Sequence, residues 1–350
     1  MIPSPIFPLR MNRRRALGLA AGALVAGGGA GLFAASPRPA ESGIVRFGTP
    51  QRYSVEHRVK FTNGNIDLAS VELWLPIPQE IPEQAVADVK VEPEVPVILD
   101  KTGQVAVAKM VLTDSLPAAD ESITFQVSYR IACRSRFTSP KALAQYPYRE
   151  YPRDQKYELF LRPEKYLQVG DEQIAELAKR FAGTRRPAPQ IARAVYDHVI
   201  DNTDYRLIDG FGGAKYCLEN GSGECGDYCA LFVALCRAAG VPARPVNGFW
   251  ADETNGWHCW AEFMLPTGEW VPVDPQVADR SPRQRNFYFG SLDNRRVALC
   301  KVHDVRLPES DEGHHELDFM QTGSWWWWTN GNPEGARLPQ ATFQVIGKRY

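Results

Sequence analysis

The sequence predicts an α+β protein in which a β-rich segment precedes a segment of mixed helices and strands. Three observations support this prediction. Apolar residues recur with a period of two from Val45 to about Ile131, which is typical of half-buried strands. Helical spacing of apolar residues then dominates from Asp171 to Ala239. Two further alternating runs follow in "WHCWAEFMLPTGEWVPVDP", on either side of a turn at residues 266–268.

Composition excludes several classes of protein. The chain has 350 residues, enough for two domains with separate cores, and its 44% apolar and 23% charged residues exclude wholesale disorder. Because 40 basic residues are balanced by 41 acidic ones, we expect no affinity for nucleic acid and no general attraction to anionic membranes. Seven cysteines are an odd number, so at least one is unpaired within a monomer, and they are too sparse for a disulfide-stapled scaffold.

The first 36 residues resemble an export signal. Three consecutive arginines, Arg13 to Arg15, precede an apolar stretch rich in glycine and alanine that runs to Ala35. This layout resembles the bacterial twin-arginine signal. An uncleaved membrane anchor is the alternative, although the glycines would make it a weak membrane helix. We therefore predict a signal peptide over residues 1–36 and an exported protein, periplasmic or extracellular, that contacts a membrane only if this segment is retained.

Residues 45–133 are predicted to form a β-sandwich domain. The run "ITFQVSYRI" places one apolar face on alternate residues, and "SVELWLPIP" alternates in the same way. Turn signals such as "TNGN" and "DKTGQ" separate these runs, with no long helical pattern between them. A stretch rich in Pro, Tyr and Arg is predicted to be a linker over 134–156. A second domain over 157–310 and a C-terminal extension over 311–350 follow.

The extension contains one compositional oddity, four consecutive tryptophans from Trp325 to Trp328. They could form a platform for carbohydrate or peptide, but aromatic packing near the C-terminus is the better interpretation. The acidic stretch "PESDEGHHELD" is interpreted as a solvated turn, because it does not follow the pattern of a calcium-binding loop.

Three helices are predicted in the second domain. Asp171 caps the first, and the second runs from about Pro189 to Ile200. The third begins at Cys225 and ends in "AAGVP", where Gly240 suits a left-handed cap and Pro242 prevents continuation.

Three cysteines lie on one face of this third helix, at positions 225, 229 and 236. The first and last are about 16 Å apart along the helix, so the three thiols cannot converge on one metal ion. Cys229 and Cys236 lie among apolar residues and are interpreted as small buried hydrophobic groups. Cys225 differs because a helix N-terminus presents unpaired N–H groups and partial positive charge, which favour a thiolate.

The following hairpin supplies a base and an orienting acid for such a thiol. Its turn sets a register in which His258 faces Gln276 and lies diagonally from Asp274, so that both functional side chains share one side of the ribbon. Cys259 is predicted to point the other way, toward the core. Cys225, His258 and Asp274 therefore have the order and spacing of a Cys-His-Asp triad.

Cys225 in "GECGDYCALFVALCRAAGVPARPVNGFW", His258 in "WHCWAEF" and Asp274 in "WVPVDP" resemble the three core motifs of the transglutaminase-like superfamily, a branch of the papain-like thiol enzymes. The resemblance covers about Leu159 to Asp279. Within the superfamily, the chain resembles bacterial secreted members. It implies a papain-like transglutaminase core preceded by an N-terminal β-sandwich domain. It also implies Cys225 as nucleophile, His258 as general base and acid, and Asp274 as the residue that orients the imidazole.

The activity implied by this resemblance is acyl transfer on a protein or peptide amide through a thioester, with no metal and no organic cofactor. Water as acceptor gives a peptidase or amidohydrolase, whereas an amine gives a cross-linking transglutaminase. The alternative is a non-catalytic exported binding module that retains the fold.

Three neighbouring residues need separate interpretation. Cys259 stands where family members commonly have a small residue, and we expect it to be tolerated because it faces inward. Asp227 is interpreted as a helix-dipole residue. For the oxyanion, the main-chain N–H of Cys225 is the stronger candidate donor and Tyr205 the weaker one.

Overall fold

The computed structural model describes residues 44–95, 97–99, 105–307 and 316–350, and of residues 97–99 it describes the main chain. The predicted signal peptide at 1–36 lies outside the described residues. The described helices are α1 (Pro140–Ala144), α2 (Gln155–Leu159), α3 (Glu172–Phe181), α4 (Ala188–Asp201), α5 (Gly213–Asn220), α6 (Cys225–Ala238) and α7 (Pro275–Arg280). A single 3-10 turn, Pro282–Gln284, follows α7.

Most of the remaining described chain is extended. The strands are β1 (Val45–Thr62), β2 (Leu68–Ile77), β3 (Gln84–Glu92), β4 (Val97–Leu99), β5 (Ala106–Leu112), β6 (Ser122–Thr138), β7 (Asp204–Tyr205), β8 (Ser222–Gly223), β9 (Ala243–Trp250), β10 (Trp257–Met264), β11 (Trp270–Val273), β12 (Ser291–Leu292), β13 (Arg296–Cys300), β14 (Val305–Arg306), β15 (Glu316–Leu317), β16 (Ser324–Thr329) and β17 (Gln340–Arg349). The predicted combination of sheets and helices is confirmed, with sheet in the majority.

Three larger sheets, all antiparallel, organise the described strands. The first has the order β12-β6-β1-β17, with β3 also paired to β6. The second has the order β16-β2-β5-β4. The third, β11-β10-β9-β13, lies beside the helices. Two short ladders, the antiparallel β14-β15 and the parallel β7-β8, complete the pairing.

The first two sheets share one hydrophobic cluster, which includes Val59 of β1, Leu73 of β2 and Phe125 of β6. In β6 the residues Phe125, Val127, Tyr129 and Ile131 are buried, so the alternation predicted for this strand is confirmed. Burial of alternate side chains follows because successive side chains of a strand point to opposite faces. The two sheets therefore share one hydrophobic core.

Strand β2 departs from its predicted half-buried pattern, because both of its faces are covered. Trp74, on the face expected to be polar, lies in a small cluster with Val107 and Met320. Glu72 on the same face is also buried and pairs with Lys109 at 3.2 Å. The covering residues lie far from β2 along the chain, so the local pattern of the strand could not reveal them.

The C-terminal residues complete both of these sheets. Strand β17 pairs with β1 over ten positions, from Tyr53↔Arg349 to Thr62↔Gln340, and β16 pairs with β2. The ring of Trp325 lies 5.6 Å from that of Phe61, and the ring of Trp326 lies 6.4 Å from that of Trp74. Aromatic packing is therefore confirmed for these two tryptophans. The stretch predicted to be a linker contains the last residues of β6 together with α1.

Helix α6 occupies the centre of the helical part. Nearly every residue from position 227 onward is buried, and the surrounding cluster contains residues of α3, α4, β9, β10 and β11. The predicted helix signals are confirmed. The side chain of Asp171 accepts hydrogen bonds from the N–H groups of Gln173 and Ile174, and Gly240 adopts a left-handed conformation with a φ of 83° just beyond the end of α6.

Candidate active site

Cys225 is the first residue of α6, where the helix N-terminus meets the third sheet. The carboxylate of Asp227 accepts a hydrogen bond from the N–H of Glu224 at 2.8 Å, which closes the first turn of the helix. Cys225 is partly exposed, unlike the other six cysteines, which are buried. A helix N-terminus stabilises negative charge, so this position favours a thiolate that solvent and substrate can reach.

His258 and Asp274 come together through the hairpin of β10 and β11. The pairing of Ala261 with Val273 confirms the predicted register. His258 Nε2 lies 2.8 Å from Asp274 Oδ2, and both side chains are buried. One detail of the prediction is wrong: His258 has no strand partner at Gln276.

The strand β11 stops at Val273 because Pro275, which lacks an N–H to continue a ladder, begins α7. Asp274 is the N-cap of that helix, and its Oδ1 accepts a hydrogen bond from the N–H of Val277 at 3.1 Å. The carboxylate therefore has two tasks, since one oxygen caps α7 and the other binds His258. The cap fixes the orientation of the oxygen that meets the imidazole.

Arg296, on β13, is a site residue that the sequence interpretation missed. Its Nη2 lies 2.7 Å from Asp274 Oδ2, and its Nη1 contacts Asp293. The guanidinium lies over the ring of Trp250 at 4.2 Å, and the same ring stacks on His258 at 4.9 Å. No local pattern marks Arg296, because it reaches Asp274 only through the pairing of β13 with β9.

The charges of the site favour a thiolate and an imidazolium. Hydrogen bonding with Cys259 and with the ring of His258, together with the positive charge of His258, holds the pKa of Cys225 well below its ordinary value, although partial burial opposes this. Burial lowers the pKa of His258, but the negative charges of Asp274 and Cys225 outweigh it and raise that pKa to about 9.

Asp274 is held as a carboxylate by its neighbours. Burial alone would raise the pKa of Asp274, but the positive charges of His258 and Arg296 and the hydrogen bond from His258 lower it to about 2. The buried acid is therefore ionised across the whole physiological pH range.

Cys229 and Cys236 are buried inside α6 as predicted. The thiol of Cys229 donates a hydrogen bond to the main-chain oxygen of Trp260 at 2.9 Å. Burial raises the pKa of both thiols far above their ordinary range. They are protonated, uncharged groups of the core.

Cys259 has a more direct relation to the site than we predicted. It is buried, as expected, but the core that it faces includes the N-terminus of α6 and the thiol of Cys225. Its Sγ lies 3.2 Å from Asn247 Oδ1 and 3.6 Å from Gln321 Nε2. The sequence offered one signal of this role, the departure from a small residue after His258.

The carboxylate of Asp227 and the side-chain amide of Gln321 hold main-chain segments around the site in place. Asp227 is more than a helix-dipole residue, because its buried side chain also accepts hydrogen bonds from the N–H groups of Gly212 at 3.1 Å and Gly213 at 2.7 Å. Burial raises the pKa of Asp227 to about 6. Gln321, from the C-terminal part of the chain, donates to the main-chain oxygens of Gly248 at 2.7 Å and His258 at 2.9 Å.

Tyr205 lies near Cys225. Strand β7 pairs in parallel with β8, so that Tyr205 faces Gly223, two residues before Cys225. Its side chain is exposed, and the guanidinium of Arg280 lies 5.5 Å from the centre of its ring. Burial and then the negative charge of Cys225 raise the pKa of Tyr205, which keeps its hydroxyl protonated and able to donate.

Within the described residues, no group of three or more His, Cys, Asp or Glu side chains is arranged to hold a metal ion. Over the same residues, none of the helices combines the length and the apolar character that crossing a bilayer requires.

The fold and the grouping of Cys225, His258 and Asp274 define a protein with a transglutaminase-like core. Residues 175–275 match the family model of the transglutaminase-like superfamily. The recognition of a transglutaminase-like core, made from its three motifs, is confirmed.

Relatives in sequence and structure agree with this assignment. A protein-glutamine gamma-glutamyltransferase from Pseudomonas aeruginosa is 28% identical over 146 residues, covering 36% of this chain and 22% of that protein. An uncharacterised protein from Haemophilus influenzae is 36% identical over 90 residues, covering 19% of this chain and 24% of that protein. The chain thus spans about a quarter of the length of the curated relatives it matches.

One solved structure shares the fold over most of the chain. The crystal structure of a proposed cysteine protease from Cytophaga hutchinsonii superimposes with a TM-score of 0.61 at 15% identity, covering 87% of this chain and 93% of that one. At this level of identity the similarity shows the fold alone.

Proposed function

We propose that this protein is a thiol-dependent acyltransferase that acts on amide bonds through a triad of Cys225, His258 and Asp274. One observation carries the proposal: the thiol at the N-terminus of α6 neighbours an imidazole whose other partner is a buried carboxylate, at 2.8 Å. The pKa of Cys225 is lowered and that of His258 is raised, which is the charge distribution a pre-formed thiolate–imidazolium pair requires.

In the proposed reaction the thiolate of Cys225 attacks the carbonyl carbon of a substrate amide, and the carbonyl oxygen becomes an oxyanion. The main-chain N–H of Cys225 and the hydroxyl of Tyr205 are the proposed donors to that oxyanion. His258 then transfers its proton to the leaving amine, and a thioester on Cys225 remains. Asp274 holds the imidazole orientation throughout and does not itself transfer a proton.

The thioester is completed by one of two acceptors. His258, now neutral, removes a proton from either water or a primary amine as that acceptor attacks the thioester carbonyl. Water yields a carboxylic acid, and an amine yields a new amide, while the thiolate is released in both cases. The name of the Pseudomonas relative supports a glutamine side chain in a protein or peptide as one acyl donor, and the description of the Cytophaga structure supports a peptide bond as another.

We also propose that residues 45–133 form a β-sandwich domain beside the catalytic core and that the protein is exported. The packing of the first two sheets around one hydrophobic cluster supports the sandwich. The arginine pattern at residues 13–15 supports export.

The test uses the full chain and an electrophilic mimic of a glutamine or peptide amide. We expect the probe to modify Cys225 alone, as mapped by peptide mass spectrometry, and to leave a matched Cys225→Ala variant unmodified. Turnover is then measured with a glutamine-containing peptide, with and without a primary amine. Ammonia release without amine incorporation identifies a hydrolase, and amine incorporation identifies a transglutaminase. A folded protein whose Cys225 reacts with neither the probe nor iodoacetamide would instead be the non-catalytic binding module.

A further inference from the structure

A second thiol lies beside the proposed nucleophile. Cys259 lies in β10 directly after His258, and it belongs to the hydrophobic cluster against which Cys225 packs. A Cβ built on Gly226 would lie 3.9 Å from Cys259 Sγ, so the first turn of α6 is packed close against this sulfur. The two thiols differ in accessibility, because Cys225 is partly exposed and Cys259 is buried.

We propose that Cys259 is a resolving cysteine, which captures an oxidised Cys225 as a reversible intramolecular disulfide. The proposal rests on Cys225 being the reactive thiol of the proposed function, but it does not depend on which amide the protein cleaves. Cys225 and Cys259 together then form a modification site, whose oxidised state is inactive and whose reduced state is competent.

The oxidant is a hydroperoxide, of which hydrogen peroxide is the simplest member. The thiolate of Cys225 attacks one peroxide oxygen and the O–O bond breaks. Cys225 becomes a sulfenic acid, and the hydroxide released takes a proton from the His258 imidazolium to form water. The sulfur of Cys259 next attacks the Cys225 sulfur. The S–O bond breaks, the S–S bond forms, and the departing hydroxide takes up the proton of the Cys259 thiol to form a second water.

The surroundings of Cys259 suit this second step. Burial and the adjacent Cys225 raise the pKa of Cys259, with the contact to Cys225 as the first cause. A sulfenic acid is uncharged, so oxidation of Cys225 removes the negative charge that opposes ionisation of Cys259. Neutral His258, next to Cys225, is then available to take this proton from the Cys259 thiol and pass it to the departing hydroxide.

The position of Cys259 makes it a better resolving thiol for Cys225 than either of the other two cysteines of α6. The thiol of Cys229 is directed to the main-chain oxygen of Trp260 at 2.9 Å, and Cys236 lies two turns further along the helix. Asn247 and Gln321 contact the Cys259 sulfur at 3.2 and 3.6 Å and hold it beside the N-terminus of α6. A disulfide needs the sulfurs to approach to about 2.05 Å, a short movement for neighbouring side chains.

The experiment treats the full chain with stoichiometric hydrogen peroxide, blocks free thiols with iodoacetamide, and digests it without reductant. We expect a peptide pair linked through Cys225 and Cys259. Before alkylation, the intact chain should be about 2 Da lighter than the untreated chain. Dithiothreitol should restore the labelling of Cys225. In Cys259→Ser we expect Cys225 to gain about 32 Da as a sulfinic acid that dithiothreitol does not reverse. The matched control, Cys229→Ala, should form the same linked pair as the wild-type chain.

The outcomes separate this proposal from the proposed function. A wild-type chain that yields no linked pair, and whose Cys225 instead becomes sulfinic, overturns the resolving role even if amide turnover is intact. Because the wild-type mapping is decisive alone, poor folding of a variant does not affect it. A linked pair in a chain that turns over no amide supports the resolving role and contradicts the proposed function. If Cys225 reacts with neither peroxide nor iodoacetamide, both proposals are overturned.

Discussion

Arg296 and His258 meet on the same oxygen of Asp274, the first at 2.7 Å and the second at 2.8 Å. The other oxygen is occupied by the N–H of Val277. The carboxylate therefore cannot rotate without losing a buried hydrogen bond, which is costly. Arg296 is a positioning residue in this arrangement, because it acts on the imidazole only through Asp274.

We expect Arg296→Gln to lower the free energy of unfolding by about 3 kcal/mol, the lower end of the range for breaking a buried ion pair, because His258 still pairs with Asp274. The pKa of Asp274 should rise from about 2 toward its ordinary value. A depressed carboxyl pKa stabilises the fold above the unfolded pKa, and this contribution is lost as the pH falls through 2. The variant should therefore show less acid-dependent destabilisation between pH 4 and pH 2, a range well below that in which histidine ordinarily titrates. Denaturant unfolding across pH measures both effects.

The matched control for this substitution is Arg295→Gln. Arg295 is the preceding residue, but its partly exposed side chain pairs with Asp252 and Glu253 at the surface. Exposed pairs contribute little, so we expect a loss of no more than about 1 kcal/mol. Equal losses in the two variants would contradict the positioning role of Arg296.

The pH dependence of turnover should separate the base from the nucleophile. Because the pKa of His258 is raised to about 9, the proton needed by the leaving amine is lost as the pH rises through that value. We expect kcat/KM for amide turnover to fall above pH 9, while alkylation of Cys225 by iodoacetamide stays fast. The raised pKa also stabilises the fold fully below the unfolded pKa of about 6.5, and this contribution is lost as the pH rises through 9. Turnover with an alkaline limb near pH 6.5 would show that His258 is not coupled to Asp274 and Cys225.

Asp274→Asn should preserve the fold and reduce turnover by roughly 10²–10⁴-fold, by analogy with the orienting acid of serine triads. The negative charge that raises the pKa of His258 is lost, so the alkaline limb of kcat/KM should move to lower pH. The pKa of the Cys225 thiol, measured from the pH dependence of alkylation, should rise as its cationic partner weakens. Asp201→Asn, an exposed carboxylate bound to Arg285, serves as the control and should retain turnover. Unchanged turnover and alkylation in a folded Asp274→Asn protein would remove Asp274 from the mechanism.

The three cysteines of α6 should respond differently to substitution. Cys225→Ala should fold normally and be inactive, since it removes only the proposed nucleophile. Cys229→Ala and Cys236→Ala should retain turnover and lose roughly 1–2 kcal/mol of unfolding free energy, because each deletes a small buried group. Thermal unfolding and peptide turnover measure the two effects. A folded Cys229→Ala protein as inactive as Cys225→Ala would indicate a paired-thiol mechanism in place of the triad.

Replacement of Arg13 and Arg14 by lysine tests the proposed export. A twin-arginine receptor recognises that pair, so we expect the double variant to accumulate in the cytoplasm while the unaltered chain is exported. Fractionation of cells producing each chain measures the ratio of exported to cytoplasmic protein. Equal export of both would leave general secretion, or no export, as the remaining routes.

The short-range features of this protein could be predicted from its sequence. Caps such as Asp171 and Gly240 depend on steric and hydrogen-bonding rules that act within a few residues. The approach of His258 to Asp274 followed from the hairpin turn and from the alternation of strand side chains. The position of Cys225 at a helix N-terminus could be predicted because the helical pattern of apolar residues begins directly after it.

Only the tertiary structure decided which distant groups surround these residues. Arg296 meets Asp274 because β13 pairs with β9, and Gln321 reaches the main chain of His258 from the C-terminal part of the chain. Trp74 is covered by residues more than thirty positions away, such as Met320. The contact of Cys259 with Cys225 depends on how α6 packs on β10. Such contacts arise when the apolar faces of separate elements are buried together, and periodicity within one element defines a face without specifying what will cover it.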